Sequence, residues 1–219
     1  MIYCNFPKLL QPFYCENIVR VGKDHDGGYL VNRLDVLKST KLLSFGIGND
    51  SSFETDFLAL ANCPLEAYDD AETTLDLFAG QHTFHAEMIT KDNIGKILGA
   101  ESGGLFLKCD IEGGEYEILD ELIRNSRKLS GLVMEFHSLH LPQYANDLVD
   151  FVSKIGLRLI HIHANNYAYQ QGPNFIMPTV VEVTFSSSDN LELRRDIASP
   201  HPLDQPNNPD EPQFAFKFI

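Results

Sequence analysis

Residues 105–122 read LFLKCDIEGGEYEILDEL. An apolar run ends abruptly in Asp110, Glu112 and the pair Gly113-Gly114. Strands buried on both faces of a parallel sheet read as near-continuous apolar runs, so a strand is predicted over 105–110. Ile118, Leu119, Leu122 and Ile123 then recur at helical spacing and predict a helix over 115–123. In an open α/β sheet, ligands bind just beyond the carboxyl ends of the strands. Two carboxylates at such an end therefore stand where this kind of fold keeps its chemistry.

Working outward, strand and helix patterns alternate. Strands are predicted over 41–46, 64–68, 83–88, 131–136, 157–163 and 179–185, with helices over 51–61, 93–98 and 144–155. A weaker helical pattern follows the second strand. Ser51 with Glu54 three residues on has the form of a capping box. This alternation implies an α/β fold, Rossmann-like, with a mostly parallel seven-stranded sheet and helices on both faces. The last two strands lack the long crossover that parallel pairing needs, so one strand is antiparallel. Residues 1–40 read as an irregular N-terminal segment carrying VGKDHDGGYLV at 21–31, and residues 41–190 as the main domain. Residues 191–219 form a tail that packs on it, with Pro200, Pro202, Pro206, Pro209 and Pro212 before the apolar end FAFKFI, a candidate edge strand.

The 219 residues carry a formal net charge of -14. Such a balance disfavours phosphate backbones and anionic membranes, so the expected partner is a small molecule, with no nucleic acid and no membrane. No apolar run approaches the length of a membrane span, and the start lacks the pattern of a secretory signal. Cys4, Cys15, Cys63 and Cys109 form no CxxC pair. A reducing, cytoplasmic setting is expected.

Four groups of residues carry chemistry. Gly46 and Gly48 lie between the first main-domain strand and its helix, in SFGIGND. Glycines there let a ligand approach the backbone and the exposed N–H groups of a helix start. Asp69, in Tyr68-Asp69-Asp70, ends the next strand about 20 residues later, where an acid accepts hydrogen bonds from ribose hydroxyls. Together they indicate an adenosine-containing cofactor, with Asp110 beside it. Glu135 and His137 share one face of the fifth strand, His161 and His163 one face of the next, and Glu182 belongs to the last. His137 is the first choice for a catalytic base and Asp110 the second. Asp110, Glu135 and His137 are also candidate ligands for a divalent metal, although no HExxH spacing supports one. Glu135, with Asp26 and Tyr29 of the DGGY turn, is a candidate for substrate binding. Glu115 falls in the first turn of its helix, where negative charge is favourable.

SFGIGNDSSFE, the acid after the second strand, LKCDIEGGEYEIL and VVEVTF together resemble the FkbM-like branch of class I S-adenosylmethionine-dependent methyltransferases. That family typically carries K-x-D-x-E-G-x-E-x-x-x-L. Lys108, Asp110, Glu112, Gly113, Glu115 and Leu119 match it, and Gly114 replaces the usual alanine. The resemblance implies methyl transfer from S-adenosylmethionine, often to a hydroxyl oxygen of a sugar or natural product. Gly46 and Gly48 would lie against the methionine portion, Asp69 against the ribose and Asp110 near the methyl group. One departure is that Ser44-Phe45 stands where many methyltransferases have an acid before the first glycine. Two other readings are a catalytically inactive methyltransferase-like binding module and a nicotinamide-dependent oxidoreductase. The latter calls for a third glycine, which the turn lacks.

Overall fold

The computed structural model describes residues 1–70, 82–173, 175–194 and 197–219. The weak helical pattern after the second main-domain strand lies outside them. The chain runs β1 (Ile2–Phe6), β2 (Ile18–Val21), β3 (Tyr29–Asn32), α1 (Arg33–Leu37), β4 (Lys41–Phe45), α2 (Ser52–Ala61), β5 (Leu65–Asp69) and β6 (His82–Ala86). It continues α3 (Ile94–Ala100), β7 (Leu105–Cys109), α4 (Glu115–Asn125), β8 (Leu129–Phe136), α5 (Pro142–Lys154), β9 (Arg158–Gly172), β10 (Phe175–Ser186) and β11 (Phe214–Phe218).

Seven strands form one sheet in the order β6-β5-β4-β7-β8-β10-β9. All neighbours are parallel except β10, which runs against both β8 and β9. This is the mostly parallel sheet with one reversed strand expected from the sequence. The sheet order reverses direction between β4 and β7, whose carboxyl ends carry Gly46 and Asp110.

The alternation along β7 explains why the strand reads as apolar apart from Lys108. Leu105, Leu107 and Cys109 face a core with Ile118 and Leu122 of α4 and Phe151 of α5. Phe106 faces the opposite core, with Phe53 and Phe57 of α2 and Val31 of β3. All five β7 residues are buried. Burial on both sides leaves no polar face to break the run.

Three expectations are corrected. Residues 1–40 are ordered rather than irregular. β2 and β3 pair as an antiparallel hairpin, and Asn32 caps α1 by accepting from the Leu34 N–H at 3.1 Å. Apolar residues on both strands bury against α2, which gives a hairpin outside the main sheet its stability. Ser51 makes no side-chain capping bond. Its partner Glu54 is buried and accepts a hydrogen bond from the Ser44 hydroxyl at 2.5 Å, so it turns inward instead of back to the helix start. The predicted connection between the last two strands is mostly strand. β9 and β10 run on as a ribbon from Asn165 to Gly172, with a register shift between Pro178 and Val180. A proline in a strand is accommodated at such an irregularity.

The C-terminal strand β11 docks on β1 in a separate two-stranded parallel sheet, with Phe6 and Phe216 rings 4.3 Å apart. The four cysteines are free. No described helix is long and apolar enough to cross a membrane.

Candidate functional site

A cavity of about 380 Å³ opens at the carboxyl ends of β4, β5, β7 and β8. Gly46, Gly48, Asp69, Asp110 and Glu135 line it, together with Asp26 and Tyr29 of the hairpin. Residues from five separate stretches of sequence thus meet at one place, where strand ends leave the sheet's polar termini uncovered.

The glycine turn is built by backbone approach. Gly46 has a φ of +71°, and a Cβ there would lie 1.6 Å from the Asp110 carbonyl oxygen. Gly48 has a φ of +56° and faces open space. The turn is pinned by the Asp110 N–H donating to the Phe45 carbonyl at 2.9 Å and the Gly46 N–H donating to that of Tyr68 at 2.9 Å. Lys108 Nζ donates to the Gly46 carbonyl at 2.5 Å. The N–H groups of Ile47 and Gly48 both donate to Asp69 Oδ2, at 2.9 and 2.8 Å. The acid chosen as a ribose ligand therefore also shapes the turn.

Beyond the turn stands a carboxylate and imidazole cluster. The Tyr29 hydroxyl donates to Glu135 Oε1 at 2.7 Å. His137 Nε2 lies 3.9 Å from Asp110 Oδ1, 3.9 Å from Glu135 Oε2 and 3.4 Å from Glu112 Oε2. Its Nδ1 is 3.0 Å from Glu115 Oε1. Asp110 and Glu135 line the cavity, while His137 stands behind them. Glu112 has a φ of +53° and an exposed side chain at the rim.

Burial sets the proton affinities here. It raises the Asp110 carboxyl above its usual range, against the pull of Lys108 and His137. Burial also raises Glu135 well above the carboxylate range, and the charges of Asp110 and Glu182 add to this. Burial alone would lower His137, but Glu115, Asp110 and Glu112 outweigh it and raise the imidazole. Raised proton affinities clustered at a cavity mark a candidate site for proton transfer.

Glu115 does more than complement a helix dipole. Its side chain is 0% exposed. It accepts from the Gly113 N–H at 2.8 Å, the His137 N–H at 2.6 Å and the His137 ring. It fixes which ring nitrogen faces the cluster. Its only sequence signal was its fixed place in the DIEGGE stretch. Lys108 was likewise passed over as a site residue, although it lines the cavity.

His161 and His163 do not join this cluster, and Glu182, although it stands opposite Glu135 on the neighbouring strand, is bonded by the tail. The tail takes the two histidines as well. His161 Nε2 is 2.8 Å from Asp204 Oδ1, and His163 Nδ1 is 3.5 Å from Asp204 Oδ2. Asn207 donates to Glu182 at 2.7 Å and to Asp26 at 3.0 Å, tying the tail to the cavity-lining hairpin.

A seven-stranded sheet of this order, with its single reversed strand and its cavity beyond β4 and β7, is the fold of the class I S-adenosylmethionine-dependent methyltransferases. Among solved structures, the chain is similar to a candidate S-adenosylmethionine-dependent methyltransferase from Listeria monocytogenes. The two are 8% identical over 71% of this chain and 93% of that one, with a TM-score of 0.50. It is also similar to a precorrin-6y C5,15-methyltransferase from Geobacter metallireducens (18% identity, 70% and 86% of the two chains, TM-score 0.45). A third is a fibrillarin pre-rRNA processing protein from Methanococcus jannaschii (10% identity, 69% and 68%, TM-score 0.46). No protein-family model matches the chain, and no curated protein matches it in sequence.

The third similarity corrects the expectation of no nucleic-acid partner. The expectation rested on the net charge alone. A net charge is a sum over the whole surface, whereas an interface uses a local patch.

Proposed function

We propose that this protein is a methyltransferase of the FkbM-like type that transfers the methyl group of S-adenosylmethionine to a hydroxyl oxygen of a small molecule, such as a sugar or natural product. The observation that carries the reading is the single cavity running from Gly46, Gly48 and Asp69 to Asp110 and Glu135. Gly46 and Gly48 would admit the methionine portion, and Asp69 would hold the ribose. Asp26, Tyr29 and Glu135 would meet the acceptor. The lining holds more carboxylates than lysines. It therefore favours a cofactor that carries a positive sulfonium.

S-adenosylmethionine bound there would supply its sulfonium methyl group to the acceptor oxygen, the carbon–sulfur electron pair staying with the departing thioether. The hydroxyl proton passes to the cluster of Asp110, Glu135 and His137, with His137 held in place by Glu115. Holding the two reactants in contact supplies much of the rate. The test is calorimetry with S-adenosylhomocysteine. Binding at micromolar ligand is the expected outcome; none at millimolar ligand would sink the reading.

A further inference from the structure

Among the described residues, Asp110, Glu135 and His137 offer donor atoms that all lie within 4.8 Å of one another. Their inward atoms do not bond to each other. Asp110 Oδ1 is buried and has no hydrogen-bond partner. The Glu135 side chain is only 8% exposed. Tyr29 takes its Oε1, and its Oε2 points at His137 Nε2 across 3.9 Å without a hydrogen bond. His137 Nε2 is the third atom of the group, and its other nitrogen is fixed by Glu115.

Glu135 Oε1 and His137 Nδ1 are thus held from outside, while Asp110 Oδ1, Glu135 Oε2 and His137 Nε2 stand close together without bonding to one another, with the exposed Glu112 Oε2 3.4 Å from His137 Nε2. A carboxylate that orients a histidine from behind is the usual support of a metal-binding imidazole. The two separations from His137 Nε2, 3.9 Å each, lie between those of adjacent and opposite ligands around a cation, about 3 and 4.2 Å for bonds near 2.1 Å, and Asp110 and Glu135 are within 4.8 Å of each other. Lys108, the nearest lysine, is committed to the Gly46 carbonyl. Buried carboxylates without such compensation are costly.

We propose that Asp110, Glu135 and His137 bind a divalent cation, and that its open positions take the hydroxyl oxygen of the methyl acceptor. This rests on the methyl-transfer reading and refines it. Two carboxylates and one imidazole suit a cation of intermediate hardness such as Mn²⁺. On this refinement the three side chains would act as ligands in place of proton acceptors, the cation would acidify the hydroxyl, and Glu112 at the rim would carry its proton to water.

The test is electron paramagnetic resonance of Mn²⁺ titrated into the full chain without cofactor, because bound Mn²⁺ loses its free-ion signal. One equivalent should bind. Glu135→Gln and His137→Ala should each weaken binding at least tenfold, and Glu115→Gln should weaken it less, while Asp69→Ala leaves it unchanged. Calorimetry with S-adenosylhomocysteine on the same variants should show the reverse pattern, with Asp69→Ala impaired and Glu135→Gln intact, which also verifies folding. No Mn²⁺ bound at millimolar concentration, or binding indifferent to Glu135→Gln and His137→Ala, overturns the proposal. Mn²⁺ binding without S-adenosylhomocysteine binding upholds the cation site and removes the cofactor reading instead.

Discussion

Replacing Gly46 by alanine tests how the glycine turn is built, because the next glycine supplies an internal control. Both glycines have positive φ, +71° at Gly46 and +56° at Gly48. An L-residue there costs about 1–2 kcal/mol, partly offset by roughly 0.4–1 kcal/mol from a less flexible unfolded chain. Gly48→Ala meets no atom within 4 Å. Its net cost is therefore about 1 kcal/mol. Gly46→Ala adds a Cβ placed 1.6 Å from the Asp110 carbonyl oxygen, which is backbone and cannot rotate aside. The β4–β7 junction must open, and three hydrogen bonds are at stake: Asp110 N–H to Phe45, Gly46 N–H to Tyr68 and Lys108 to Gly46. At about 1 kcal/mol each, these bring the total to about 4 kcal/mol. For a chain of this size that is roughly 10 °C in Tm, against about 3 °C for Gly48→Ala. Urea unfolding with both midpoint and slope measured reads the difference. Equal stability of the two variants would refute the packing argument.

Asp69→Ala removes the proposed acceptor for ribose hydroxyls and the shared acceptor of the Ile47 and Gly48 N–H groups. S-adenosylhomocysteine binding should weaken by about 30- to 160-fold in calorimetry, following roughly 2–3 kcal/mol for lost charged hydrogen bonds; unchanged affinity would remove Asp69 from the proposed cofactor site. Glu115→Gln places an NH₂ donor against groups that already donate. It should cost about 2 kcal/mol in urea unfolding, and a cost near zero would show that His137 is held by other contacts. Asp204→Asn probes the tail. Burial pushes the Asp204 carboxyl up, but His161 and His163 outweigh it and hold it well below the usual range. Burial lowers His163, yet Asp204 and Glu182 raise it overall. The carboxylate's contribution is present above its unfolded pKa and lost as pH falls. The histidine's is present below its unfolded pKa and lost as pH rises. The stability gap between wild type and Asp204→Asn should then be widest between about pH 4 and 6.5. It should reach about 3 kcal/mol for a buried pair broken on one side. A gap that stays flat from pH 3 to 8 would count against the charged pairing.

Much of the fold was legible because burial leaves a periodic trace. The run at β7 announced a strand covered on both sides, and Ile118, Leu119 and Leu122 announced the inward stripe of α4. The closing pair was legible as antiparallel because its connection is too short for a crossover. The long ribbon of β9 and β10 was not, since its outer part has no core to impose alternation. The capping pattern at Ser51 misled for a related reason. A local motif competes with tertiary partners, and Ser44 offered Glu54 a buried hydroxyl.

The sequence by itself determined the class of fold, the glycine turn at Gly46 and Gly48, and the acids that end β5 and β7. These are properties of short stretches, where strand periodicity, backbone freedom and strand-end position act within a few residues. Only the tertiary structure decided which side chains meet. Glu115 reaches His137 from 22 residues away. Asp204 draws His161 and His163 into the tail network and away from Asp110. Tyr29 reaches Glu135 across 106 residues. Such pairings depend on packing of the β2–β3 hairpin on one face of the sheet and of the tail along β9 and β10. No local pattern encodes a partner so distant in the chain.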